Sequence, residues 1–176
     1  MNNPVEVWLR GPLQDMPSLL QPIAHALLQA REEINELMTG FPDTLLWERP
    51  AGVAAPAFHL HHLTGVMDRL FTYAAGKTLS EKQLETFSQE GKSDLSLTTN
   101  YLVETFNKQV DKALDQLRSV SGSTLTEQRE VGRARLPSTV IGLYVHAAEH
   151  TMRHEGQLLV TVRMLKIANV SCTSKV

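Results

Sequence analysis

The sequence of 176 residues predicts an all-α protein, a four-helix bundle with a short extra helix between its second and third long helices. Three observations lead to this prediction. Apolar residues recur at intervals of three and four along four long segments, as they do on one face of an α-helix. Stretches rich in Gly, Pro and Ser separate these segments, and the connections are short enough for a bundle. No period-two pattern typical of a β-strand competes with them.

The first long helix is predicted from about Pro17 to Met38, where the stretch TGFPD ends it. Pro22 can lie in its first turn or kink it. The second long helix is predicted to start near Pro56 and to stop at Gly76. The apolar positions of the first helix share the helical spacing and are Leu19, Leu20, Ile23, Leu27, Leu28, Ile34 and Leu37.

A short helix is predicted in the stretch SEKQLETFSQEG, because Ser80 and Gln83 have the spacing of a capping box and Gly91 follows the last turn. The third long helix is predicted from about Leu97 to Val120. The fourth is predicted to follow the stretch RLPS, with Ser138 as its N-cap, and to run to about Ile167.

Composition and charge exclude several classes of protein. The chain has 42% hydrophobic and 20% charged residues, as expected for one globular domain spanning residues 1–176. Its 17 basic residues are interleaved with 19 acidic ones, so no basic face for nucleic acid is expected. A single cysteine, Cys172, allows no internal disulfide, and no apolar run of about 18 residues suggests a membrane span. We expect a cytoplasmic protein.

The stretch HAAEHTMRHEGQ places three histidines four residues apart on the fourth long helix. At about 100° per residue, His154 lies near the middle of the apolar stripe of that helix and His150 near its edge. His146 lies about a quarter turn away and is expected at the rim. His150 and His154 are one turn apart, so both imidazoles can reach one ion.

A partner for this pair is offered by FHLHHL on the second helix. His59 lies nearest the centre of the apolar face, His62 lies at its edge, and His61 points almost the opposite way. Helical geometry therefore permits either His59 or His62 as a third ligand. Three neutral imidazoles leave a coordination position open, as in catalytic metal sites, but spacing alone is equally consistent with histidines that pack in a bundle.

Two other metal motifs fit the sequence less well. The stretch HAAEH matches the inverzincin pattern HxxEH, but it would use His146 and discard the better-placed His154. The zincin pattern HExxH begins at His154 and fails because Leu158 stands at the position of its second histidine. Neither Glu149 nor Glu155 has a histidine three residues later, which argues against a ferritin-like di-iron site.

Taken together, AFHLHHLTGVMDRL and HAAEHTMRHEGQL resemble the DinB-like (DinB/YfiT-like) superfamily of small four-helix proteins. In that family one histidine of the second helix and an HxxxH pair of the last helix bind a divalent metal. Carried over at the matching positions, the resemblance implies His62, His150 and His154 as ligands. The family often has HxxxHRGQ in the last helix, and this chain differs there by Glu155 in place of Arg.

The resemblance implies a divalent metal, with zinc or nickel expected first and iron as a further option. It also implies a small-molecule substrate. A homodimer is expected because the long apolar helices can leave an uncovered face. Characterised relatives include S-transferases that use low-molecular-weight thiols, so a thiol transferase is the leading hypothesis and a hydrolase the next. The competing hypothesis is a non-catalytic dimeric metal-binding, scaffold or stress-response protein.

Acid–base candidates are few. Glu149 precedes one implied ligand, Asp68 lies about two turns from His62, and Tyr73 lies about three turns from it on the same face. We take Glu149 and Asp68 as the candidate catalytic residues. Arg69 or Arg153 can contact an anionic cosubstrate, although salt bridges between helices explain such arginines equally well.

Overall fold

The computed structural model describes the backbone of residues 5–173 and the side chains of residues 5–169, so the Cys172 thiol lies outside the described part. Five α-helices follow one another along the chain: α1 (Gln21–Met38), α2 (Pro56–Ala74), α3 (Glu81–Gln89), α4 (Thr99–Ser119) and α5 (Val140–Thr173). Two short strands, β1 (Gln128–Val131) and β2 (Leu136–Thr139), precede α5. The predicted all-α class, with a short helix between the second and third long ones, is confirmed.

Helices α1, α2, α4 and α5 form the bundle. Helix α2 packs against both α4 and α5, and α1 packs against the same two helices, so each long helix buries one apolar face. The contact between α2 and α5 is extensive, and it brings the histidines of the two helices together. The fully buried side chains come from all four helices and include Leu27, Ile34, Leu60, Leu63, Met67, Phe106, Leu117, Tyr144 and Leu158.

The first helix begins later than the sequence predicts. A 3₁₀ turn, Ser18–Leu20, precedes it, and Pro22 lies in the first turn of α1, where its missing N–H removes no helical hydrogen bond. Leu19, assigned to the apolar stripe, is instead 67% exposed. The reason is geometric: the tighter 3₁₀ turn rotates Leu19 away from the face that the α-helical spacing implies.

The structure contains two short strands that the sequence pattern did not indicate. Strands β1 and β2 pair as an antiparallel hairpin, with Gln128 opposite Thr139 and Val131 opposite Leu136. Most of the residues of both strands are exposed or half-buried, so the strands show little of the apolar alternation that marks a half-buried sheet.

The predicted N-cap of the last long helix was also wrong. Ser138 belongs to β2, where it lies opposite Arg129. Instead, the Thr139 hydroxyl accepts a hydrogen bond from the N–H of Gly142 at the start of α5. Helix α5 therefore begins at Val140.

Helix α3 carries the predicted capping box: the Ser80 hydroxyl accepts from the Gln83 N–H, and the Gln83 side chain accepts from the Ser80 N–H. Helix α3 lies across α2 and ends at Gln89, so that Glu90 follows directly. This position matters for the site described below. Within residues 5–173, no helix has both the length and the apolar character to cross a membrane.

Candidate metal centre

Three imidazoles meet between α2 and α5. His62 comes from α2, and His150 and His154 come from successive turns of α5; one ring nitrogen of each lies within 4.8 Å of the others. The Nε2 atoms of His62 and His150 are 2.9 Å apart. The ring centroids of His150 and His154 are 4.5 Å apart, as expected for residues four apart on one helix face. The structure thus brings together the three histidines that the family resemblance implies.

A carboxylate fixes the orientation of His62. Glu90 Oε2 lies 2.7 Å from Nδ1 of His62, and the Glu90 side chain is only 6% exposed. A carboxylate accepts hydrogen bonds, so the proton of His62 lies on Nδ1 and the lone pair of Nε2 faces His150. This is the arrangement in which a carboxylate orients a metal-binding imidazole from behind.

Arg69 holds Glu90 from the other side. Its Nη1 donates to Oε1 of Glu90 at 2.5 Å, and its guanidinium lies 4.2 Å from the centre of the Phe87 ring. Burial of Glu90 works to raise its pKa, but the hydrogen bonds from His62 and Arg69 outweigh that effect and leave the pKa below its usual value. Glu90 is therefore ionised at neutral pH, as the hydrogen bond from His62 requires.

Gly65 makes room for this ion pair. A Cβ atom at Gly65 would overlap Oε1 of Glu90 and would lie 2.8 Å from Nη1 of Arg69. Both are closer than any ordinary carbon contact, so a side chain at this position is incompatible with the observed pair. Glycine thus lets the carboxylate approach the backbone of α2.

A fourth histidine lies behind His154. His59 is 2% exposed, and its Nδ1 lies 3.0 Å from Nδ1 of His154. This contact occupies the Nδ1 side of His154 and leaves its Nε2 available for an ion. Phe58 stacks on His62 with ring centroids 5.3 Å apart and planes 9° from parallel, which covers one face of that imidazole.

Two histidines of the cluster, His150 and His154, are poised as neutral ligands. Burial, reinforced by the neighbouring imidazoles, lowers the pKa of His150 to about 4, and burial likewise lowers the pKa of His154. Burial also lowers the pKa of His59 to about 4. Because an imidazole must be unprotonated to bind a metal, these shifts keep the lone pairs free at neutral pH.

The residues present fit a divalent metal of the kind that imidazole prefers. Two ligand nitrogens of a tetrahedral zinc site lie about 3.3 Å apart, given metal–nitrogen bonds of about 2.0–2.1 Å, and the 2.9 Å between His62 and His150 is close to that value. The buried Nδ1 of His150 has no hydrogen-bond partner among the described residues, and a metal held at Nε2 would not supply one.

The other predicted site residues lie outside the cluster. His146 is exposed, as expected for a rim position, and its Nδ1 lies 3.4 Å from Glu149. Glu149 is exposed as well and pairs with Arg153. Asp68 accepts a hydrogen bond from Gln83 Nε2 at 2.7 Å and faces α3. A direct role for Glu149 or Asp68 in a reaction stays a prediction.

Three further residues also lie away from the imidazoles. His61 is half-buried and is not a member of the three-histidine cluster, as its position on the helical wheel predicts. Tyr73 lines a cavity with Arg129 and Glu130 of the hairpin. Because α2 rises about 1.5 Å per residue, eleven residues place Tyr73 about 16 Å from His62 along the helix, too far for direct contact. Arg69, which was considered as a contact for an anionic cosubstrate, forms an ion pair with Glu90.

Sequence reasoning missed Glu90 and Gly65. Glu90 follows the last residue of a short polar helix, and nothing in that local stretch distinguishes it from its acidic neighbours. Only the way α3 folds back across α2 brings its carboxylate to His62. The one usable signal was Gly65, a glycine inside a strongly predicted helix, since such a glycine often marks a close approach of another group.

Fold and site together define an α-helical bundle with a three-histidine cluster that can bind a metal. The DinB superfamily model matches residues 26–158, a span that includes all three histidines. The chain belongs to the DinB superfamily.

A solved structure supports the same fold. The chain is similar to the crystal structure of a structural-genomics target protein from Streptococcus pneumoniae, with a TM-score of 0.61 and 16% sequence identity. The match covers 85% of this chain and 91% of that one. At this identity the likeness concerns the fold alone. No curated protein matches the chain.

Proposed function

We propose that this chain is a divalent-metal-dependent enzyme of the transferase type, which joins a low-molecular-weight thiol to a small electrophilic substrate. A hydrolase that uses water in place of the thiol is the second form of the same proposal. The observation that carries it is the pair of contacts on His62: its Nδ1 bonds to Glu90, and its Nε2 faces the Nε2 of His150 at 2.9 Å.

His62, His150 and His154 would hold the metal. With three neutral imidazoles as ligands, the ion would keep its full charge and an open position, and would act as a Lewis acid toward a thiol or water. Three protein ligands and one open position are typical of catalytic rather than structural zinc sites.

The surrounding residues keep the three imidazoles ready. Glu90 holds the His62 proton on Nδ1, and Arg69 keeps Glu90 ionised by supplying the opposite charge in a buried place. His59 packs against Nδ1 of His154 and limits the rotation of that ring. Each of these contacts fixes the direction of a lone pair without touching a substrate.

A small cavity that shares Phe58 with the surroundings of His62 supports a small-molecule substrate. It has a volume of about 270 Å³ and is lined in part by Trp47, Ala55 and Phe58. Phe58 separates this cavity from His62, on which it stacks. The apolar walls suit the carbon skeleton of an electrophile, and Arg49 at the same cavity suits a carboxylate on it.

In the proposed transfer, the thiol sulfur forms a bond to the electrophilic carbon, and the leaving group departs with the electron pair of its broken bond. The thiol proton passes to Glu149 or to solvent. Glu149 is the better placed of the two predicted carboxylates, because it directly precedes His150. Its hydrogen bond with Arg153 lowers its pKa, with smaller contributions from His146 and His150, so the carboxylate is ionised at neutral pH. Asp68 instead faces α3.

Metal analysis of the purified protein tests the first half of the proposal. We expect about one equivalent of a divalent metal per chain after incubation with zinc or nickel, and loss of that metal in His62→Ala and His154→Ala. The matched control is His146→Ala, which removes an exposed histidine of the same helix and should retain the metal. Absence of bound metal in the folded wild type would overturn the proposal.

Turnover by the metal-loaded protein tests the second half. The wild type is assayed with a panel of thiols (cysteine, glutathione and bacillithiol) against an electrophilic bimane, and with ester substrates in the absence of thiol. Thiol-dependent product that disappears in His154→Ala but not in His146→Ala supports the transferase. Product only from the esters supports the hydrolase form. A metal-loaded protein inactive with every pair contradicts the enzymatic proposal and favours a non-catalytic metal-binding protein.

A further inference from the structure

A second polar cavity lies between α2, α3 and α4, whereas the three imidazoles lie between α2 and α5. Its volume is about 440 Å³, which suits a small organic molecule. All three helices contribute polar groups to its walls: α2 supplies a hydroxyl, a carboxylate and a guanidinium group, and α3 and α4 each supply hydroxyl, amide and ammonium groups. No histidine lines this cavity, although Arg69, which pairs with Glu90, does.

The most informative residue of the cavity is Gln109 of α4. Its side chain is 94% buried, since the residue retains only 6% of its accessible surface, and it lines the cavity. Within residues 5–169, the Gln109 amide has no hydrogen-bond partner on the protein. Because its N and O atoms are not fully enclosed, this amide opens into the cavity and can hydrogen-bond to a molecule there.

Positive charge surrounds this amide. Thr105, Lys108, Gln109 and Lys112 recur at intervals of three and four and therefore lie along one face of α4, and Lys82 faces them from α3. Among the described residues, neither Lys82 nor Lys112 has an ion-pair partner. Lys108 has one distant contact, 3.9 Å, with an exposed carboxylate of its own helix.

Negative charge in the cavity is small by comparison. Asp68 is the acidic residue of the lining, and Gln83 already donates a hydrogen bond to it. Arg69 also reaches the cavity, but Glu90 balances its charge. Three lysines thus face one carboxylate, which leaves an excess of positive charge that favours an anion.

The hydroxyl groups sharpen the description of the ligand. Thr64 and Thr105 donate their protons to backbone carbonyls of their own helices. The free donors of the cavity are therefore the Gln109 amide, the lysine ammonium groups and the Thr86 hydroxyl. A group of several donors with few free acceptors matches an oxyanion, since carboxylate and phosphate oxygens only accept when ionised.

We propose that this cavity binds a small organic anion that carries a phosphate or carboxylate group, with Gln109 and Lys112 as contact residues. The site contains none of the three imidazoles, and its existence does not depend on whether the histidines catalyse a reaction.

Calorimetric titration of the metal-free full chain tests the proposal with two probes, inorganic phosphate and succinate, at constant ionic strength set with chloride. We expect saturable binding of one equivalent of at least one probe. Preference for phosphate or for succinate then distinguishes the two anionic groups. Both Gln109→Leu and Lys112→Gln should weaken binding at least fivefold, because the first removes the buried donor and the second removes a cation.

The matched control is Arg133→Gln, which removes one positive charge from an exposed residue of the hairpin turn, outside the cavity. It should bind the probe as the wild type does. A thermal unfolding curve without anion checks that each variant is folded. Lack of binding of both probes, binding unchanged in both cavity variants, or equal weakening by Arg133→Gln would each overturn the proposal.

Discussion

Oε2 of Glu90 lies 2.7 Å from Nδ1 of His62, so a carboxylate beyond the end of α3 decides which nitrogen of an α2 imidazole carries the proton. The two residues are 28 positions apart in sequence. Their contact links the short helix to the proposed metal centre, and it gives that centre a charged group that can be changed without touching a ligand.

Glu90→Gln is expected to weaken metal binding by about 10–100-fold, the usual effect of losing a carboxylate that orients a metal-binding histidine. The amide keeps the shape of the side chain but loses its charge, and Arg69 then lacks its ionic partner. Competition titration with a chromogenic zinc chelator measures the affinity. Glu85→Gln is the matched control, an exposed glutamate within α3, and equal affinities in the two variants would contradict the role of Glu90.

Gly65→Ala is expected to displace the Glu90 side chain, since the new Cβ would overlap its Oε1. We expect a loss of about 1–3 kcal/mol in the free energy of unfolding, as is usual for overpacking, together with weaker metal binding. Gly156→Ala is the control: it is also a helical glycine, and a Cβ there meets nothing within 4 Å. That change should be neutral or stabilise by up to about 1 kcal/mol. Urea denaturation measures the free energy of unfolding of both variants. Equal values for Gly65→Ala and Gly156→Ala would show that the space at Gly65 is not needed.

Glu155→Gln is expected to stabilise the metal-free protein at pH 8. Glu155 is 6% exposed, and burial, with a further contribution from Glu33, raises its pKa to about 7. Between the ordinary value near 4.5 and about 7, the folded state binds more protons than the unfolded state, so stability falls as pH rises through this window. A shift of this size corresponds to about 3 kcal/mol as an upper value.

The glutamine variant lacks this titration, so its advantage over the wild type should be present at pH 8 and should disappear below about pH 4.5. Urea denaturation at several pH values measures the difference. Glu36→Gln, at an exposed glutamate that lines the same cavity as Glu155, should show no such pH-dependent gain. If the difference in stability between the variant and the wild type were constant across the whole pH range, folding would not raise the pKa of Glu155.

Removal of metal is expected to leave the bundle folded. The core consists of apolar side chains from four helices, and these contacts do not pass through the histidines. Chelator-treated protein should keep its helical circular dichroism and unfold cooperatively, at a lower temperature than the loaded form. With free metal at about 100 times the dissociation constant, the loaded form should be more stable by about 2.7 kcal/mol. Loss of helicity on chelation would instead indicate a structural metal.

The sequence by itself determined the class of fold and most of the histidine cluster. Helical periodicity is a local property, so α1, α2, α4 and α5 follow from the spacing of their apolar residues, and the capping box at Ser80 follows from two residues three apart. The same periodicity indicated that His150 and His154 share a face and that His61 does not join them. It left His59 and His62 as alternatives, and the family resemblance pointed to His62.

Only the tertiary structure decided between these neighbours and supplied what surrounds them. His59 lies too far behind His154 to complete the three-nitrogen cluster and packs against it instead, a difference that depends on how α2 is rotated against α5. Glu90 reaches His62 because α3 folds back across α2, over a glycine that admits it. The hairpin before α5 was missed because its stability comes from pairing between strands. Contacts between residues distant in sequence leave no periodic trace in either partner, and so they emerge only when the helices are packed.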